Sequence, residues 1–295
     1  MIDLEPDGFS HFIASFIIKA RKVAIVESGP MVTLPNLLRG LRELGIANEA
    51  VDYVAVSHVH LDHAGGCAKL LSQLPNAKIV VHRRGVPHIV NPERLWTQAQ
   101  LVLNEVAELY EKPVPISKER IIAAEDGMTL DLGNGVELVV VETLGHASHH
   151  QSFYEKKSST VFPGDAAGIY IPEFDVTIPT TPRPFHLETA LESIEKLKQL
   201  EPKVLCYTHF GQASGALDKL QMHAEQLKLW ADVVTENLRD ETTLEELELE
   251  IENRDSSLRK VRKYLEGHPI LGKGAVLQSV DGFVEYVKRS KSGAG

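Results

Sequence analysis

The sequence predicts an α/β fold with a helical C-terminal extension, and three observations support this fold class. Short apolar segments typical of β-strands alternate with amphipathic helical segments as far as about residue 212. Beyond that point the pattern is helical and acidic, with one further strand-like segment, GFVEYV. The chain has 295 residues, 43% of them hydrophobic, and can bury a full-sized core. We predict an α/β domain over residues 1–212 and a helical region over residues 213–295 packed on it.

The first half of the α/β domain is predicted to contain a hairpin followed by alternating helices and strands. FIASFII and KVAIVE are rich in β-formers and flank a basic turn, so they predict two paired strands. LPNLLRGLREL and AGGCAKLLSQL have apolar residues at helical spacing, whereas VDYVAV and KIVVH are short apolar strands. The residues from Leu95 to Leu109 predict one longer amphipathic helix.

The second half of the domain is predicted to be a strand meander, a loop, a helix and a last strand. Gly133, Asn134 and Gly135 lie between β-prone runs and predict a hairpin turn. HQSFYE and STVFPGD predict two further strands. Residues 166–186 are rich in Pro and Thr without a clear period, so we predict a long loop that rims a site. ETALESIEKLKQL predicts a helix and VLCYTHF a strand.

Composition and charge exclude several function classes. The net charge is -10, with 31 Lys and Arg against 41 Asp and Glu and no basic cluster, which argues against nucleic acid as a partner. The apolar stretch near the N-terminus is too short to span a membrane and the first residues are acidic, so we expect neither a signal peptide nor a membrane partner. Cys67 and Cys206 are the only cysteines, and we expect both to be small buried side chains in a cytoplasmic protein.

Four metal-ligating side chains occur within six residues, directly after the predicted strand VDYVAV. They are His58, His60, Asp62 and His63. On a tight loop, residues two apart can face the same way, so His58 and His60 can bind one cation while Asp62 and His63 turn toward a second. A structural role for so many ligands in one short loop is improbable, and the segment predicts a metal site.

Each of three later segments ends in one further metal-ligating side chain. His146 follows TLG, Asp165 follows FPG and His209 follows CYT. Glycine precedes both His146 and Asp165, as expected where the chain turns sharply and the backbone approaches a metal closely. Together with the first segment, these residues predict a metal centre with ligands from four places in the chain.

The order of SHVHLDH, GH at 145 and 146, GD at 164 and 165, and TH at 208 and 209 resembles the metallo-β-lactamase superfamily, over about residues 10–211. The resemblance implies an αββα four-layer sandwich with a two-metal site at one edge between the sheets, and in most members a hydrolase. It implies that one metal is bound by His58, His60 and His146, the other by Asp62, His63 and His209, with Asp165 bridging them.

The resemblance implies two divalent cations as cofactors, with zinc expected first and iron or manganese as alternatives. Two cations a few ångströms apart would share a water, lower its pKa and supply hydroxide as the nucleophile for an ester-type substrate. Asp62 would orient that nucleophile and transfer a proton to the leaving group. The sequence therefore predicts a binuclear metal-dependent hydrolase acting on a small molecule.

The substrate class is drawn from finer similarities. The Gly pair after HLDHA, the GHxxxH segment and the helical tail are similar to glyoxalase II and its lactonase relatives, which favours a thioester or a lactone. No basic cluster is present to bind a glutathione carboxylate. A phosphodiesterase or phosphotriesterase is the alternative. A di-iron redox or binding protein is more remote, because flavodiiron members replace the second His by Glu, and His60 holds that position here.

Several other residues are candidates for supporting the ligands or contacting the substrate. They are His149, Tyr170, Arg183 and His186. We expect His150 to point away from the centre, whereas His11, His88, His223 and His268 have no neighbours that single them out. The acidic helical region could wall the pocket or pair two chains, and we expect a homodimer.

Overall fold

The first sheet of the computed structural model, which describes residues 1–292, has six strands in the order β1-β2-β3-β4-β5-β6. The predicted hairpin is confirmed, since β2 and β3 pair antiparallel, and β3 to β6 run parallel. Helices connect the parallel strands, as such crossovers require. The elements are β1 (Ile2–Asp3), β2 (Ala14–Lys19), β3 (Val23–Val26), α1 (Leu34–Glu43), β4 (Val51–Ala55), α2 (Leu61–Ala64), α3 (Cys67–Gln73), β5 (Lys78–His82), α4 (Val86–Val90), α5 (Glu93–Leu103), α6 (Glu105–Tyr110) and β6 (Ile121–Ala124).

The prediction of one helix from Leu95 to Leu109 is wrong, because the chain breaks between α5 and α6. Asn104 separates them with φ 48° and ψ −120°, far from helical values. Asparagine adopts positive φ more readily than most residues, so the break falls at a position that tolerates it. The apolar spacing continues across the break, which is why periodicity alone does not reveal it.

The second sheet has the strand order β14-β13-β10-β9-β8-β7. The predicted Gly-Asn-Gly hairpin joins β7 and β8, and all three of its residues have positive φ. β10 and β13 are parallel, and the other neighbours are antiparallel. The elements are β7 (Thr129–Gly133), β8 (Val136–Glu142), β9 (Gln151–Glu155), β10 (Thr160–Phe162), β11 (Ile169–Ile171), β12 (Val176–Ile178), α7 (Leu187–Gln199), β13 (Val204–Tyr207) and β14 (Gly211–Ser214).

The segment 166–186, predicted as an irregular loop, contains a small hairpin. β11 and β12 pair antiparallel over three residues each, from Ile169 opposite Ile178 to Ile171 opposite Val176. Strands of three residues are too short to show a period of two against the surrounding Pro and Thr. The prediction of a segment without strands is therefore wrong for residues 169–178.

The two sheets pack face to face and are covered by helices on their outer faces. Residues of both sheets meet in an inner core, among them Phe16, Val26, Leu138 and Phe153. Their neighbours along the strands point outward, as Ile25 does into the larger cluster that contains the helices. The predicted αββα sandwich is confirmed.

Four helices follow the second sheet: α8 (Ala216–Asn237), α9 (Leu244–Arg254), α10 (Ser256–Gly267) and α11 (Ala275–Lys291). The strand suggested by GFVEYV is wrong, because the segment lies within α11. Val280, Phe283, Val284 and Val287 are buried there at helical spacing. Among the helices of residues 1–292, none combines the length and the apolarity that crossing a membrane requires.

The predicted boundary after residue 212 lies inside β14, which pairs with β13 and thus belongs to the second sheet. The helical elements begin at Ala216. Residues 293–295 of the predicted helical region lie outside the described residues. The division of the chain into two domains stays a prediction.

Gly282 of α11 packs against the backbone of Thr181. A Cβ at this position would overlap the carbonyl oxygen of Thr181. We expect Gly282→Ala to lower the free energy of unfolding by about 1–3 kcal/mol, although alanine usually stabilises a helix interior. Gly267→Ala is the control, since a Cβ there meets nothing within 4 Å. Thermal unfolding of both variants checks the expectation, and equal melting temperatures would contradict it.

Candidate metal centre

The loop after β4 brings the first metal-ligating side chains together. His58 Nε2 lies 2.8 Å from His60 Nδ1, so the two rings present nitrogens to the same point. His60 lies directly before α2, which carries Asp62 and His63 in its single turn. His63 Nε2 lies 3.8 Å from Asp62 Oδ2. The short helix thus turns the second pair of side chains away from the first.

The three later donors come from the ends of strands in the second sheet. His146 follows β8, and its Nε2 lies 3.2 Å from His60 Nδ1. His209 follows β13, and its Nε2 lies 3.3 Å from His63 Nε2 and 3.4 Å from Asp62 Oδ2. The first sheet's loop and the second sheet's strand ends therefore meet at one edge of the sandwich.

Asp165, which follows β10, lies between the two clusters of nitrogens. Its Oδ1 is 3.3 Å from His63 Nε2 and its Oδ2 is 3.4 Å from His146 Nε2. Three groups have donor atoms within 4.8 Å of one another and could hold a metal ion: His58 with His60 and His146; Asp62 with His63 and His209; and His58 with His63 and Asp165. The last group overlaps the first two.

Hydrogen bonds on the far side of the rings fix which nitrogen faces the centre. His146 Nδ1 lies 2.8 Å from the carbonyl of Thr180, and His209 Nδ1 lies 3.0 Å from the carbonyl of Phe12. A carbonyl oxygen only accepts, so each Nδ1 carries the hydrogen and each Nε2 keeps a lone pair for a metal. Such contacts are typical of histidines that bind metals.

Ser57 Oγ lies 3.3 Å from His63 Nδ1, and Glu27, which directly follows β3, lies behind the same ring and is a residue that the sequence analysis missed. Its Oε2 lies 3.5 Å from His63 Nδ1, and its Oε1 accepts a hydrogen bond from Ser57 N. The residue is 1% exposed. The sequence feature that could have identified Glu27 is its position as an acidic residue directly after the apolar run VAIV. That run is adjacent to the strand that leads into the histidine loop.

The electrostatics of the buried cluster suit a cation. Burial would raise the pKa of Asp165, but His63 and His146 hold it well below its usual value. Burial together with the neighbouring imidazoles lowers the pKa of His58 and His60, so these rings stay neutral. Burial would also lower the pKa of His63, but the surrounding carboxylates raise it well above normal. His63 therefore carries a second proton when no ion is bound, and a metal ion would displace it, because ionised carboxylates and neutral imidazoles are the forms in which these residues bind metals.

Asp165 Oδ1 is buried and has no hydrogen-bond partner within residues 1–292. A buried carboxylate oxygen without a donor is costly unless a cation satisfies it. Five imidazoles and two carboxylates converge here, and that donor set fits zinc, iron or manganese. The residues present therefore fit a metal centre.

The expectation that His150 points away from the centre is wrong. Its Nε2 accepts a hydrogen bond of 3.1 Å from the Asp165 backbone N–H, and its Nδ1 lies 2.9 Å from Thr143 Oγ1. His150 is fully buried behind the metal edge. The alternating direction of side chains along an extended strand does not predict this position, because the chain forms a turn between His146 and the start of β9.

His149 lies beside the centre, whereas the side chains of three other candidates pair with residues outside the three ligand groups. The His149 ring is 5.7 Å from that of His60, and its Nδ1 is buried without a partner among the described residues. The Tyr170 hydroxyl donates to Asp175, the Arg183 guanidinium pairs with the Asp281 carboxylate, and His186 Nδ1 accepts from Arg289.

Comparison with known proteins agrees with this architecture. A model of the metallo-beta-lactamase superfamily matches residues 11–209. The metallo-beta-lactamase fold-containing protein ST1585 of Sulfurisphaera tokodaii is 30% identical over 185 residues, which are 61% of this chain and 67% of that protein. An anaerobic nitric oxide reductase flavorubredoxin of Salmonella arizonae is 25% identical over 160 residues, 52% of this chain, and the chain spans only 28% of its length.

Two solved structures show the same fold. The structure of ST1585, from Sulfolobus tokodaii, matches with a TM-score of 0.68 and 23% identity, covering 89% of this chain and 97% of that one. The metallo-beta-lactamase family protein TTHA1429 from Thermus thermophilus matches with a TM-score of 0.69 and 21% identity, covering 95% and 89%. Identities this low establish the fold alone. The family model covers more than half of the chain, and the protein therefore belongs to the metallo-beta-lactamase superfamily.

Proposed function

We propose that this protein is a binuclear metal-dependent hydrolase acting on a small ester-type substrate, with a thioester or a lactone favoured. The observation that carries the proposal is the position of Asp165, whose two carboxylate oxygens face different groups of histidines. Superfamily members are generally hydrolases that use two metals. A carboxylate such as Asp165 that contacts both ligand groups fits this arrangement.

Zinc is the cation we favour, because five of the seven donors are imidazoles, with iron and manganese as the alternatives. His58, His60 and His146 would hold one ion, and Asp62, His63 and His209 the other, with Asp165 between them. When bound, the two ions would supply Lewis acidity and a water of lowered pKa. Protein side chains would orient the nucleophile and transfer the proton.

Asp62 is the residue we assign to proton transfer. Its side chain is 23% exposed, whereas that of Asp165 is 5% exposed. Burial would raise the pKa of Asp62, but His63 and His209 lower it, so the carboxylate is ionised and can accept a hydrogen bond from the attacking water. Asp62 therefore combines a contact to the ligand cluster with access to solvent and substrate.

A narrow cleft beside His146 and Asp165 supports an acyl substrate over a phosphoester. Its lining contains aliphatic, aromatic, threonine and histidine residues but no Lys or Arg: Leu144, His146, Asp165, Ala166, Thr180, Thr181, Phe185, Ala190, His223 and Leu227. Arg183, the cation nearest in sequence to the lining segment, pairs with Asp281 of α11. A phosphoester would depend on the metal ions alone to balance its charge, because no cationic side chain lines this cleft.

A redox role is the second candidate, favoured by the sequence similarity to flavorubredoxins, which are named as nitric oxide reductases. The chain spans about a quarter of those proteins, and His60 supplies an imidazole to the first ligand group. Nitrogen-rich ligation suits zinc as well as iron, so the hydrolytic proposal keeps precedence.

The proposal includes a cytoplasmic protein that forms a homodimer. Cys67 and Cys206 are both buried and unpaired, which fits a reducing compartment. Symmetric dimers are the commonest oligomers of enzymes of this size. Light scattering that finds only monomer at high concentration would exclude the dimer.

A hydrolysis panel tests the proposed function. Protein loaded separately with zinc, iron and manganese is assayed with a thioester, a lactone, a phosphodiester and a phosphotriester. We expect about two metal ions per chain and a kcat/KM for the thioester or lactone at least tenfold above both phosphoesters. Faster phosphoester hydrolysis would instead support the phosphoesterase alternative. Bound iron with oxidase activity and no hydrolysis would support the redox alternative.

A further inference from the structure

We propose that Thr143, His150 and Ser152 are positioning residues for Asp165, the carboxylate that faces both ligand groups. Their side chains form a chain of hydrogen bonds that holds the turn carrying Asp165 at two points. Thr143 directly follows β8, His150 directly precedes β9, Ser152 lies within β9, and all three are fully buried. The inference rests on the proposed binuclear centre and deepens it, because it assigns the placement of the shared carboxylate to residues outside the three ligand groups.

The chain of hydrogen bonds begins at the backbone of Asp165. The Asp165 N–H donates to His150 Nε2 at 3.1 Å, so this nitrogen keeps its lone pair and the ring hydrogen lies on Nδ1. His150 Nδ1 lies 2.9 Å from Thr143 Oγ1, and its N–H therefore donates to that hydroxyl. The hydrogen of the Thr143 hydroxyl remains to be donated, and Ser152 Oγ lies 2.8 Å away to accept it.

The same direction of donation follows independently from the other end of the chain. Ser152 Oγ donates to the Pro163 carbonyl at 3.0 Å, since a carbonyl oxygen only accepts. A hydroxyl has one hydrogen, so Ser152 Oγ must accept from Thr143, and Thr143 Oγ1 must accept from His150. Every donor in the chain has an acceptor in this single arrangement, so the loss of one member leaves a buried polar group unpaired.

The turn is held on both sides of Gly164. The Pro163 carbonyl before Gly164 and the Asp165 N–H after it are the two ends of the chain. Gly164 has φ 55°, and a Cβ there would lie 2.5 Å from Ser57 Cβ and 2.7 Å from His150 Nε2. The backbone of the turn is therefore packed between Ser57 and His150. A turn fixed by both hydrogen bonds and packing keeps its carboxylate facing the two ligand groups.

Metal affinity tests the inference in variants that leave every ligand in place. Thr143→Val and Ser152→Ala each remove one hydroxyl from the chain. We expect each to weaken binding of the second zinc ion about tenfold in competition with a chromophoric chelator, the usual effect of a lost contact behind a ligand. The double variant should bind no more weakly than the weaker single variant, because the chain is already broken. Losses that multiply in the double variant would overturn the chain.

Thr33→Val is the matched control for Thr143→Val. It makes the same change at a buried hydroxyl, which donates to the Pro30 carbonyl at 2.9 Å, and we expect lower stability with unchanged metal affinity. His150→Gln should bind the second ion more tightly than His150→Leu, because an amide oxygen can still accept from the Asp165 N–H whereas leucine leaves that donor unpaired. Wild-type affinity in Thr143→Val, or equal losses in the two His150 variants, would overturn the inference.

Nitrogen NMR of the metal-free protein tests the chain without metal or turnover. We expect His150 to show the Nδ1–H tautomer, and the Asp165 amide hydrogen to exchange about tenfold faster in Thr143→Val than in the wild type. A ring hydrogen on Nε2, or unchanged exchange, would overturn the inference. If the wild type hydrolyses no ester while Thr143→Val still weakens metal binding, the proposed hydrolysis fails and the positioning role stands. If the wild type binds a single ion, the binuclear centre fails, and the tautomer and the amide exchange decide the positioning role.

Discussion

Replacement of Asp165 by asparagine is expected to lower the kcat/KM of the proposed hydrolase by at least about 10³-fold, because one carboxylate serves both ligand groups. Its two oxygens lie 3.3 Å from His63 Nε2 and 3.4 Å from His146 Nε2. An amide is uncharged and has a single accepting oxygen, so the variant loses both the anion and one of the two contacts. Metal analysis should find fewer than two ions per chain, most clearly when zinc is limiting.

Asp218→Asn is the matched control for this variant, because Asp218 is exposed on α8 and belongs to none of the three ligand groups. It makes the same chemical change at the surface and should leave metal content and kcat/KM unaltered. Circular dichroism of both variants separates loss of the centre from loss of the fold. Two ions and full turnover in Asp165→Asn would show that the carboxylate does not link the groups.

The ligand cluster could be predicted from the sequence because its members are marked locally. His58, His60 and His63 follow a short apolar strand, and each later donor follows another strand in a motif of two or three letters. Strand ends gather at one edge of a sheet sandwich, so residues distant in sequence meet there. The αββα arrangement followed from the resemblance of these motifs, and the structure confirms it.

The residues that support the ligands could not be predicted, because their role depends on tertiary contacts. Glu27 belongs to a neighbouring strand, and only the parallel pairing of β3 with β4 brings it to His63. His150 required the turn geometry after His146. The predicted helix across Asn104 is wrong because the backbone conformation of that residue interrupts it. The predicted strand in α11 is wrong because burial at helical spacing outweighs the β-propensity of the segment.

Glu27 has a second role that explains why it is buried. Ser57 N–H donates to its Oε1 at 3.1 Å, and Thr208 Oγ1 lies 3.5 Å from the same oxygen. One carboxylate therefore joins the ends of three strands. Glu27 itself follows β3, β4 leads toward His63, and β13 leads to His209. The site and the junction between the sheets share this side chain, and truncation to alanine would remove both contributions.

The isosteric change Glu27→Gln is expected to weaken binding of one of the two proposed metal ions by about 10–100-fold, the usual effect of losing a partner behind a ligating histidine. The carboxylate Oε2 lies 3.5 Å from His63 Nδ1, where it favours the tautomer that leaves Nε2 free to bind. An amide NH₂ at that position would donate to Nδ1 and move the ring hydrogen to Nε2, which faces Asp165 and His209. Competition with a chromophoric chelator should resolve one unchanged and one weakened site.

Glu155→Gln is the control. It alters a buried carboxylate that caps a turn at Lys157 and Ser158, so we expect reduced stability but two unchanged metal affinities. If Glu27→Gln binds both ions as the wild type does, the carboxylate supports the strand junction alone.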